Sequence, residues 1–284
     1  MKVLVFGGSS FMGRSALKQL HAAGHQVTVA TRSPEKVATL DIPTLKLERK
    51  SADSVAKVLK MAKPDVLLDM ICYDEEDAVT LLEGIKQCGI TPEHYLMVSS
   101  FFVYHHLAEW EAPATVPETM DDRYTYNKLA AEHRLQNSPL HERTTYLRFP
   151  FIISANDVTG RFQRLIHQVL EGRKPGHPDS GKMQFITKRE GGRILCELAS
   201  LPPQGVIDVS NGECLESETL YRLLEETFHH PPEPLEGDEP CPYHVSRDLC
   251  MPGTRLKKLL KRPLLTMEEQ LIMEAKRYAY RHTL

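Results

Sequence analysis

Short apolar runs alternate with amphipathic stretches through the first half of the chain. The first run, over residues 3–6, is continuous and therefore typical of a strand buried on both faces of a parallel sheet. Residues 14–25 then show apolar positions at helical spacing, and Gly24 ends that helix. The same pattern predicts further strands at 26–30, 44–47, 66–68, 94–100 and 144–153. It predicts helices at 51–61 and 124–136, and between them a helix that begins with residues 74–84 and ends at Gly89. This alternation predicts an α/β fold built on a doubly wound parallel sheet.

The pattern is less regular beyond residue 153. We predict helices at 162–170, 193–200, 217–228, 254–260 and 266–280, and strands at 183–186 and 205–209, with Ser217 capping the helix that it begins. Pro150 should end or bend the strand over 144–153, because proline removes a ladder hydrogen bond. Residues 231–242 are acidic and proline-rich, and they are long for a loop, so we expect a mobile flap or a lobe boundary there.

Composition and charge narrow the classes of function. The 284 residues are 41% apolar and 26% charged, as in a soluble globular protein, and the net charge of −3 implies no basic surface for nucleic acid. No apolar run approaches the ~20 residues that span a bilayer, and the N-terminus reads as a core strand rather than a signal peptide. The six cysteines form no C-x-x-C pair, which argues against a zinc site and favours free thiols in a reducing cytosol. We therefore expect a cytoplasmic protein with no metal, no membrane contact and no nucleic-acid partner.

A glycine-rich turn joins the first strand to the first helix. Such a turn lets bare backbone approach two phosphates, and the following helix directs its free N–H groups at them. The position, directly between a strand and a helix, is the context that supports a phosphate-binding loop. The alternative is an ordinary tight turn with no ligand. The loop residues that we assign to a dinucleotide are Gly7, Gly8, Ser9, Ser10, Phe11, Met12 and Gly13.

The end of the second strand bears on the choice of cofactor. An acidic residue there would bind a ribose 2′-hydroxyl, whereas a cation accommodates a 2′-phosphate. Arg32 offers a permanently charged fork of donors and Ser33 adds a hydroxyl. The sequence therefore favours NADP, with NAD possible, unless Arg32 is merely a surface arginine.

The end of the strand over 66–68 should border the same crevice, because ligands bind outside the carboxyl ends of parallel strands. Asp69 is either a polar group of the cofactor site or a cap for the following turn, and Met70 follows it. Cys72 could line the pocket, although most free cysteines are small buried apolar residues.

A tyrosine and a lysine form the candidate catalytic pair. A phenol can exchange a proton with a hydroxyl or carbonyl group only if its pKa, normally about 10, is lowered. Lys128 lies one helical turn after Tyr124 and could stabilise the phenolate. The helix follows the strand that ends in Ser99 and Ser100, and Ser100 could bind the substrate oxygen. The alternative is an exposed helix pair.

The loop GGSSFMG (7–13), the strand end VSSFFVY (98–104) and the segment YTYNK (124–128) resemble the extended short-chain dehydrogenase/reductase superfamily. Within it the chain is most similar to the NAD-dependent epimerase/dehydratase group and its atypical members. The resemblance covers about residues 1–210. It implies a Rossmann domain with a smaller C-terminal substrate lobe, Tyr124 as the acid/base, Ser100 as its serine partner, and Lys128 as a ligand of the nicotinamide ribose. We expect a dinucleotide-binding domain over 1–153, and mainly a substrate lobe over 154–284, from which 183–210 returns to the first domain.

The chain departs from the family pattern at three places. Ser10 stands where the family has glycine, the segment DMICYD (69–74) replaces small residues, and the usual Arg-Pro is here Arg148-Phe149-Pro150, which makes Pro150 a candidate cofactor contact. The substrate lobe is also short, so the family's frequent substrates, nucleotide sugars, do not follow automatically.

The sequence leaves three functions open. The first is an NAD(P)-dependent oxidoreductase or epimerase/dehydratase that acts on a small molecule, as a monomer or homodimer. The second is an NADP-sensing regulatory or nucleic-acid-associated Rossmann protein without turnover, and the third is a soluble α/β domain whose site has decayed. The intact Ser100, Tyr124 and Lys128 favour the enzyme.

Overall fold

The computed structural model describes residues 1–9, 11–117, 121–173, 181–229 and 240–282. The chain forms two compact units. The first comprises Met1–Phe149 and Gly191–Asp208, and the second comprises Pro150–Glu190 and Val209–Leu284. The strands are β1 Lys2–Phe6, β2 Gln26–Thr31, β3 Thr44–Lys46, β4 Val66–Asp69, β5 His94–Ser100, β6 Thr144–Phe149, β7 Phe151–Ile153, β8 Phe185–Thr187 and β9 Gly205–Asp208. The helices are α1 Phe11–Ala22, α2 Ala52–Ala62, α3 Glu75–Cys88, α4 Arg123–Gln136, α5 Arg161–Leu170, α6 Lys188–Ser200, α7 Ser217–Phe228, α8 Thr254–Leu259 and α9 Met267–His282.

The first unit is built on a seven-stranded parallel sheet of order β3-β2-β1-β4-β5-β6-β9. The strand order reverses between β1 and β4, where Phe6 pairs with Asp69. In doubly wound sheets the ligand crevice opens at the carboxyl ends of the strands on either side of this reversal. The predicted α/β Rossmann fold is confirmed.

Strands β1, β4 and β5 are buried on both faces of the sheet, because helices pack on both of its sides. Leu4 and Phe6 belong to a core with side chains of α2, α3 and α4. In the other helical layer α6 packs closely on α1, because Gly191 and Gly192 carry no side chain. A Cβ added to them would lie 2.6 Å from the Met12 sulfur and 2.6 Å from the Ser15 hydroxyl oxygen, respectively. The two glycines therefore set the distance between these helices.

The second unit contains the parallel pair β7–β8 and helices α5, α7, α8 and α9. The buried amide of Gln184 joins separate segments: its nitrogen donates to the Ser210 hydroxyl (2.8 Å) and to the Met251 carbonyl (3.0 Å). Its oxygen accepts from the Met251 backbone N–H at 2.9 Å. A disulfide between Cys214 and Cys250 ties the same segments together.

Several sequence-based expectations need correction. The strand over 144–153 is two strands in different sheets, divided at Pro150 as that residue suggested. Helix α1 begins at Phe11 rather than Arg14, directly after the glycine turn. Ser217 does not cap α7; the N-cap residue is Glu216, whose side chain forms no capping hydrogen bond. The buried Ser217 hydroxyl is instead hydrogen-bonded to the Cys241 sulfur. Most of the proposed flap, 231–239, lies outside the described residues.

The expectation of free thiols throughout is wrong for Cys214 and Cys250. The fold brings their Cα atoms to 5.7 Å, within the range that a disulfide spans. A separation of 36 residues carries no signal of this pairing, because it arises from tertiary contacts. The described chain leaves four cysteines free, Cys72, Cys88, Cys196 and Cys241.

Candidate active site

The glycine turn after β1 forms a bare backbone surface at the carboxyl edge of the sheet. Gly7 and Gly8 have φ of +94° and +81°, a region that only glycine occupies without strain. A Cβ on Gly13 would lie 2.5 Å from the Gly8 Cα, so the turn and the first turn of α1 are in direct contact. The first N–H groups of α1 lack helical acceptors, as at any helix start, and they lie beside this turn. A pyrophosphate fits such a surface, because no side chain stands between it and the amides.

The other predicted loop residues lie around this turn. Phe11 begins α1 with φ +45°, and Met12 is buried where α6 packs. Ser9 is half-buried, while Ser10 lies outside the described residues. Ile71 covers the turn, since a Cβ on Gly7 would lie 2.9 Å from its Cγ2 methyl.

Asp69 is fully buried, and both of its carboxylate oxygens have protein partners. Oδ2 accepts from Arg49 (2.8 Å) and from the Tyr95 hydroxyl (3.0 Å), and Oδ1 accepts from the Ile71 backbone N–H (2.9 Å). Of the two roles considered for Asp69, these contacts favour the turn cap. The half-buried Met70 donates its backbone N–H to the Phe6 carbonyl at 3.1 Å, which holds the end of β4 against β1.

The segment after β2 carries the predicted cation. Arg32 is exposed, and the Ser33 backbone N–H donates to the Thr31 hydroxyl at 3.2 Å. Arg14, on α1, donates to the Lys36 carbonyl and to the Thr39 hydroxyl, so it fastens this segment to the first helix. Arg14 was not singled out from the sequence, and its position one turn into α1 is the signal that could have indicated it.

The two serines at the end of β5 point in opposite directions, because successive strand residues alternate between faces. Ser99 donates to the buried Glu132 carboxylate at 2.5 Å. The Ser100 oxygen instead accepts from the Phe102 backbone N–H at 3.3 Å and caps the short turn Phe101–His105. The Ser100 side chain therefore lies on the face of β5 opposite to Ser99.

Lys128 is held by backbone carbonyl groups of β5 and of the segment after β4. Its ammonium donates to the carbonyl oxygens of Cys72 (2.8 Å) and Val98 (3.0 Å), and the side chain is only 2% exposed. The nitrogen also lies 4.9 Å from the centre of the Tyr73 ring. The Lys128 ammonium is thus fixed between β5 and the segment that follows β4.

Tyr124 lies in the first turn of α4, which Asp122 caps by accepting from the Tyr124 and Thr125 backbone N–H groups at 3.0 and 3.3 Å. Its side chain is 47% exposed, and its ring meets the Phe102 ring edge-to-face at 6.2 Å. Burial raises the pKa of Tyr73, and the nearby Tyr124 phenol raises it further. Tyr124, Tyr73 and Lys128 therefore form one cluster, and Tyr73 is a member that the sequence analysis missed.

A buried polar network lies beneath the crevice. Arg148 grips both oxygens of Glu132, at 3.2 and 2.6 Å, and donates to the Tyr104 hydroxyl at 2.9 Å. That hydroxyl donates to Asp208 at 2.6 Å and accepts from the Glu111 backbone N–H at 2.8 Å. Burial raises the pKa of Asp208 to about 6, against the opposing effects of the Tyr104 hydrogen bond and the Arg148 charge.

The remaining predicted residue, Pro150, belongs to the second unit, where it lines a small cavity with Gln184 and Ser210. Within the described residues no three metal-binding side chains are grouped to hold an ion. No helix among those residues is both long and apolar enough to cross a bilayer.

Comparison with known proteins identifies the family. The NAD(P)H-binding family matches residues 7–172. The chain is 34% identical over 85 residues to 2′-dehydrokanamycin reductase of Streptomyces kanamyceticus, covering 30% of the chain and 24% of that protein. It is 27% identical over 195 residues to the chloroplast stem-loop binding protein of 41 kDa b of Arabidopsis thaliana, covering 63% and 50%. The chain thus spans about a quarter of the length of the reductase and about half of the length of the stem-loop binding protein.

Solved structures share the fold at low identity. UDP-glucose 4-epimerase of Thermotoga maritima, solved with UDP-glucose, superposes with a TM-score of 0.77 at 16% identity over 100% of both chains. dTDP-glucose 4,6-dehydratase of Bacillus anthracis, solved with NAD, gives 0.77 at 14% identity over 99% of this chain and 97% of its own. UDP-N-acetylglucosamine 4-epimerase of Bacillus cereus gives 0.71 at 14% over 99% of both. With its glycine turn and parallel sheet, the chain belongs to the NAD(P)H-binding family.

Proposed function

We propose that the protein is an NAD(P)-dependent oxidoreductase or epimerase/dehydratase that acts on a carbonyl or hydroxyl substrate. The observation that carries this proposal is Lys128, a buried cation that donates to the Cys72 and Val98 carbonyls and lies one helical turn after Tyr124. This i, i+4 spacing places the ammonium and the phenol on the same side of α4, where a positive charge can assist proton transfer by the tyrosine.

The residues divide the chemistry between them. The bound nicotinamide supplies hydride transfer, and the backbone of Gly7, Gly8 and Gly13 would hold its pyrophosphate. Tyr124 gives a proton to the substrate oxygen or takes one from it. The positive charge of Lys128 would stabilise negative charge that develops during the proton transfer, and Ser100 donates a hydrogen bond to the same substrate oxygen.

The exposed Arg32 and the hydroxyl of Ser33 favour NADP over NAD, because a 2′-phosphate needs a cation and donors beside the end of β2. The choice of substrate class is supported by two structural neighbours, a UDP-glucose 4-epimerase and a UDP-N-acetylglucosamine 4-epimerase, which are named for nucleotide sugars. A nucleotide sugar is therefore the first substrate to test.

The experiment is a titration with NADPH and NADH followed by turnover assays on carbonyl compounds and sugar nucleotides. In Tyr124→Phe we expect kcat to fall by about 10²- to 10⁴-fold, as for loss of an acid/base group, with cofactor affinity nearly unchanged. Tyr126→Phe is the matched control, since Tyr126 is a partly exposed tyrosine two residues along the same helix. Full turnover in Tyr124→Phe would exclude this mechanism.

The second candidate, a dinucleotide-binding protein without turnover, draws support from the stem-loop binding protein that matches 63% of the chain. The same experiment separates the two. Tight NADPH binding without turnover on any substrate, together with binding of a stem-loop RNA, would favour this candidate.

A further inference from the structure

We propose that Tyr73 is a positioning residue of the cofactor site, whose ring covers Lys128 and forms one wall of the seat for the sugar beside the nicotinamide. The inference rests on the proposed function, since it assigns a role within the same crevice. Tyr73 belongs to the bulky segment DMICYD that follows β4.

The peptide group that joins Cys72 to Tyr73 is held through both of its polar atoms. Its N–H donates to Asp77 Oδ2 at 2.7 Å, and its carbonyl oxygen accepts from Lys128 at 2.8 Å. Asp77 is itself fixed, because it forms the capping box of α3 with Asp74 and an ion pair with Lys50 at 3.2 Å. The ring therefore projects from a backbone that the helix cap and Lys128 both constrain.

The side chain of Tyr73 does not serve the hydrophobic core. It is 54% exposed, yet its ring lies over the Lys128 nitrogen at 4.9 Å. An ammonium has three donors, and two of them go to the carbonyls of Cys72 and Val98. The aromatic face therefore covers the part of the cation that the strand ends leave open, at a distance typical of a cation–π contact.

Tyr73 is a neutral cover rather than a second base. Burial and the neighbouring Tyr124 raise the pKa of Tyr73, and the positive charge of Arg32 opposes them only in part. The Tyr73 phenol is thus held in its neutral form. Since the ring excludes water from Lys128, the lysine charge acts on Tyr124 with less screening.

The test compares Tyr73→Phe, which keeps the aromatic face, with Tyr73→Leu, which keeps bulk without it. NADPH affinity is measured by titration, and the pH profile of turnover is recorded for each variant. We expect Tyr73→Phe to bind within about twofold of the wild type and Tyr73→Leu about tenfold more weakly. In Tyr73→Leu the acidic limb of the pH profile for hydroxyl oxidation should move to higher pH, because the charge of a better-solvated Lys128 is screened more strongly.

Tyr126→Leu is the control for loss of an accessible tyrosine ring, and circular dichroism checks that each variant is folded. Equal affinity in Tyr73→Leu and wild type would overturn the inference while leaving the proposed function intact. Tighter NADPH binding by Tyr73→Leu than by the wild type would also overturn it, because the ring would then block the cofactor site. An equal loss of NADPH affinity in Tyr73→Phe and Tyr73→Leu would overturn it too, because the effect would then come from the hydroxyl. If the wild type binds neither NADPH nor NADH, the proposed function fails and this inference fails with it.

Discussion

Asp208 lies at the end of β9 with one oxygen bound by Tyr104 and the other, Oδ2, buried without a hydrogen bond. Glu111 also has a buried oxygen without a partner, and its negative charge is among the causes that raise the Asp208 pKa. The Arg148 charge lies nearby but is already engaged with both oxygens of Glu132. Burial therefore dominates, and the ionised form of Asp208 is disfavoured in the folded protein.

This shift predicts how stability depends on pH. A carboxyl with a folded pKa of about 6 and an unfolded value of 3.8 stabilises the fold fully below about pH 4, and that contribution is lost as pH rises through 6. The loss amounts to about 3 kcal/mol. Asp208→Asn keeps an acceptor for Tyr104 but cannot ionise, so its stability relative to wild type should rise by that amount between pH 4 and pH 7.

Urea unfolding at several pH values measures the free energy of unfolding of wild type and Asp208→Asn. The contributions of the other titrating groups cancel in the difference between the two proteins, because both proteins contain those groups. Asp53→Asn, which removes an exposed carboxyl from α2, provides the control. Parallel stability curves for Asp208→Asn and wild type would contradict the assignment.

At the scale of elements, β1, the glycine turn and α1 act as one piece. The turn contacts the helix through backbone atoms, since a Gly13 Cβ would lie 2.5 Å from the Gly8 Cα and 3.0 Å from the Gly8 nitrogen. Backbone cannot move aside as a flexible side chain does. The approach of the turn to α1 therefore depends on glycine at both positions.

Gly13→Ala should separate the turn from α1. We expect a loss of about 1–3 kcal/mol in the free energy of unfolding, as for overpacking, and at least a tenfold loss of NADPH affinity. Gly24→Ala is the matched control: φ there is +79°, but a Cβ would meet nothing within 4 Å. It should cost about 1 kcal/mol from backbone strain alone and leave affinity unchanged. Urea unfolding and NADPH titration of the two variants measure both effects. Equal NADPH affinities for Gly13→Ala and Gly24→Ala would contradict the steric argument.

At the scale of the molecule, the chain forms two compact units, and the disulfide lies within the second. In the loop-closure account, a crosslink between residues 36 apart stabilises by about 3–4 kcal/mol, because it removes conformations from the unfolded chain. The effect should appear in unfolding of the second unit. The first unit contains neither cysteine of the pair.

Reduction of the wild type should therefore lower the midpoint of a thermal unfolding transition, whereas the double variant Cys214→Ser/Cys250→Ser should start lower and not respond to reductant. Calorimetry with and without reductant measures both. Thiol titration should first show that all six cysteines are reduced. If the unfolding midpoint of this reduced protein is unchanged, the prediction is contradicted.

The elements that the sequence predicts well are those with local signals. Strand β5 occupies 94–100 as predicted, because its apolar run is bounded by a turn and by two serines. Tyr73 and Asp208 were missed, since nothing in their local sequence indicates that one will cover a lysine 55 positions away or that the other will lie beneath the crevice. Asp69 remained ambiguous until its partners Arg49 and Tyr95 were known.

The amino-acid sequence by itself determined the parallel sheet, the glycine turn and the spacing of Tyr124 and Lys128, because periodicity and backbone requirements act between near neighbours in the chain. Only the tertiary structure decided which charges are buried, which polar groups pair and which ring covers Lys128. Those properties depend on contacts between distant segments, and burial changes the energy of a charge far more than any local pattern does.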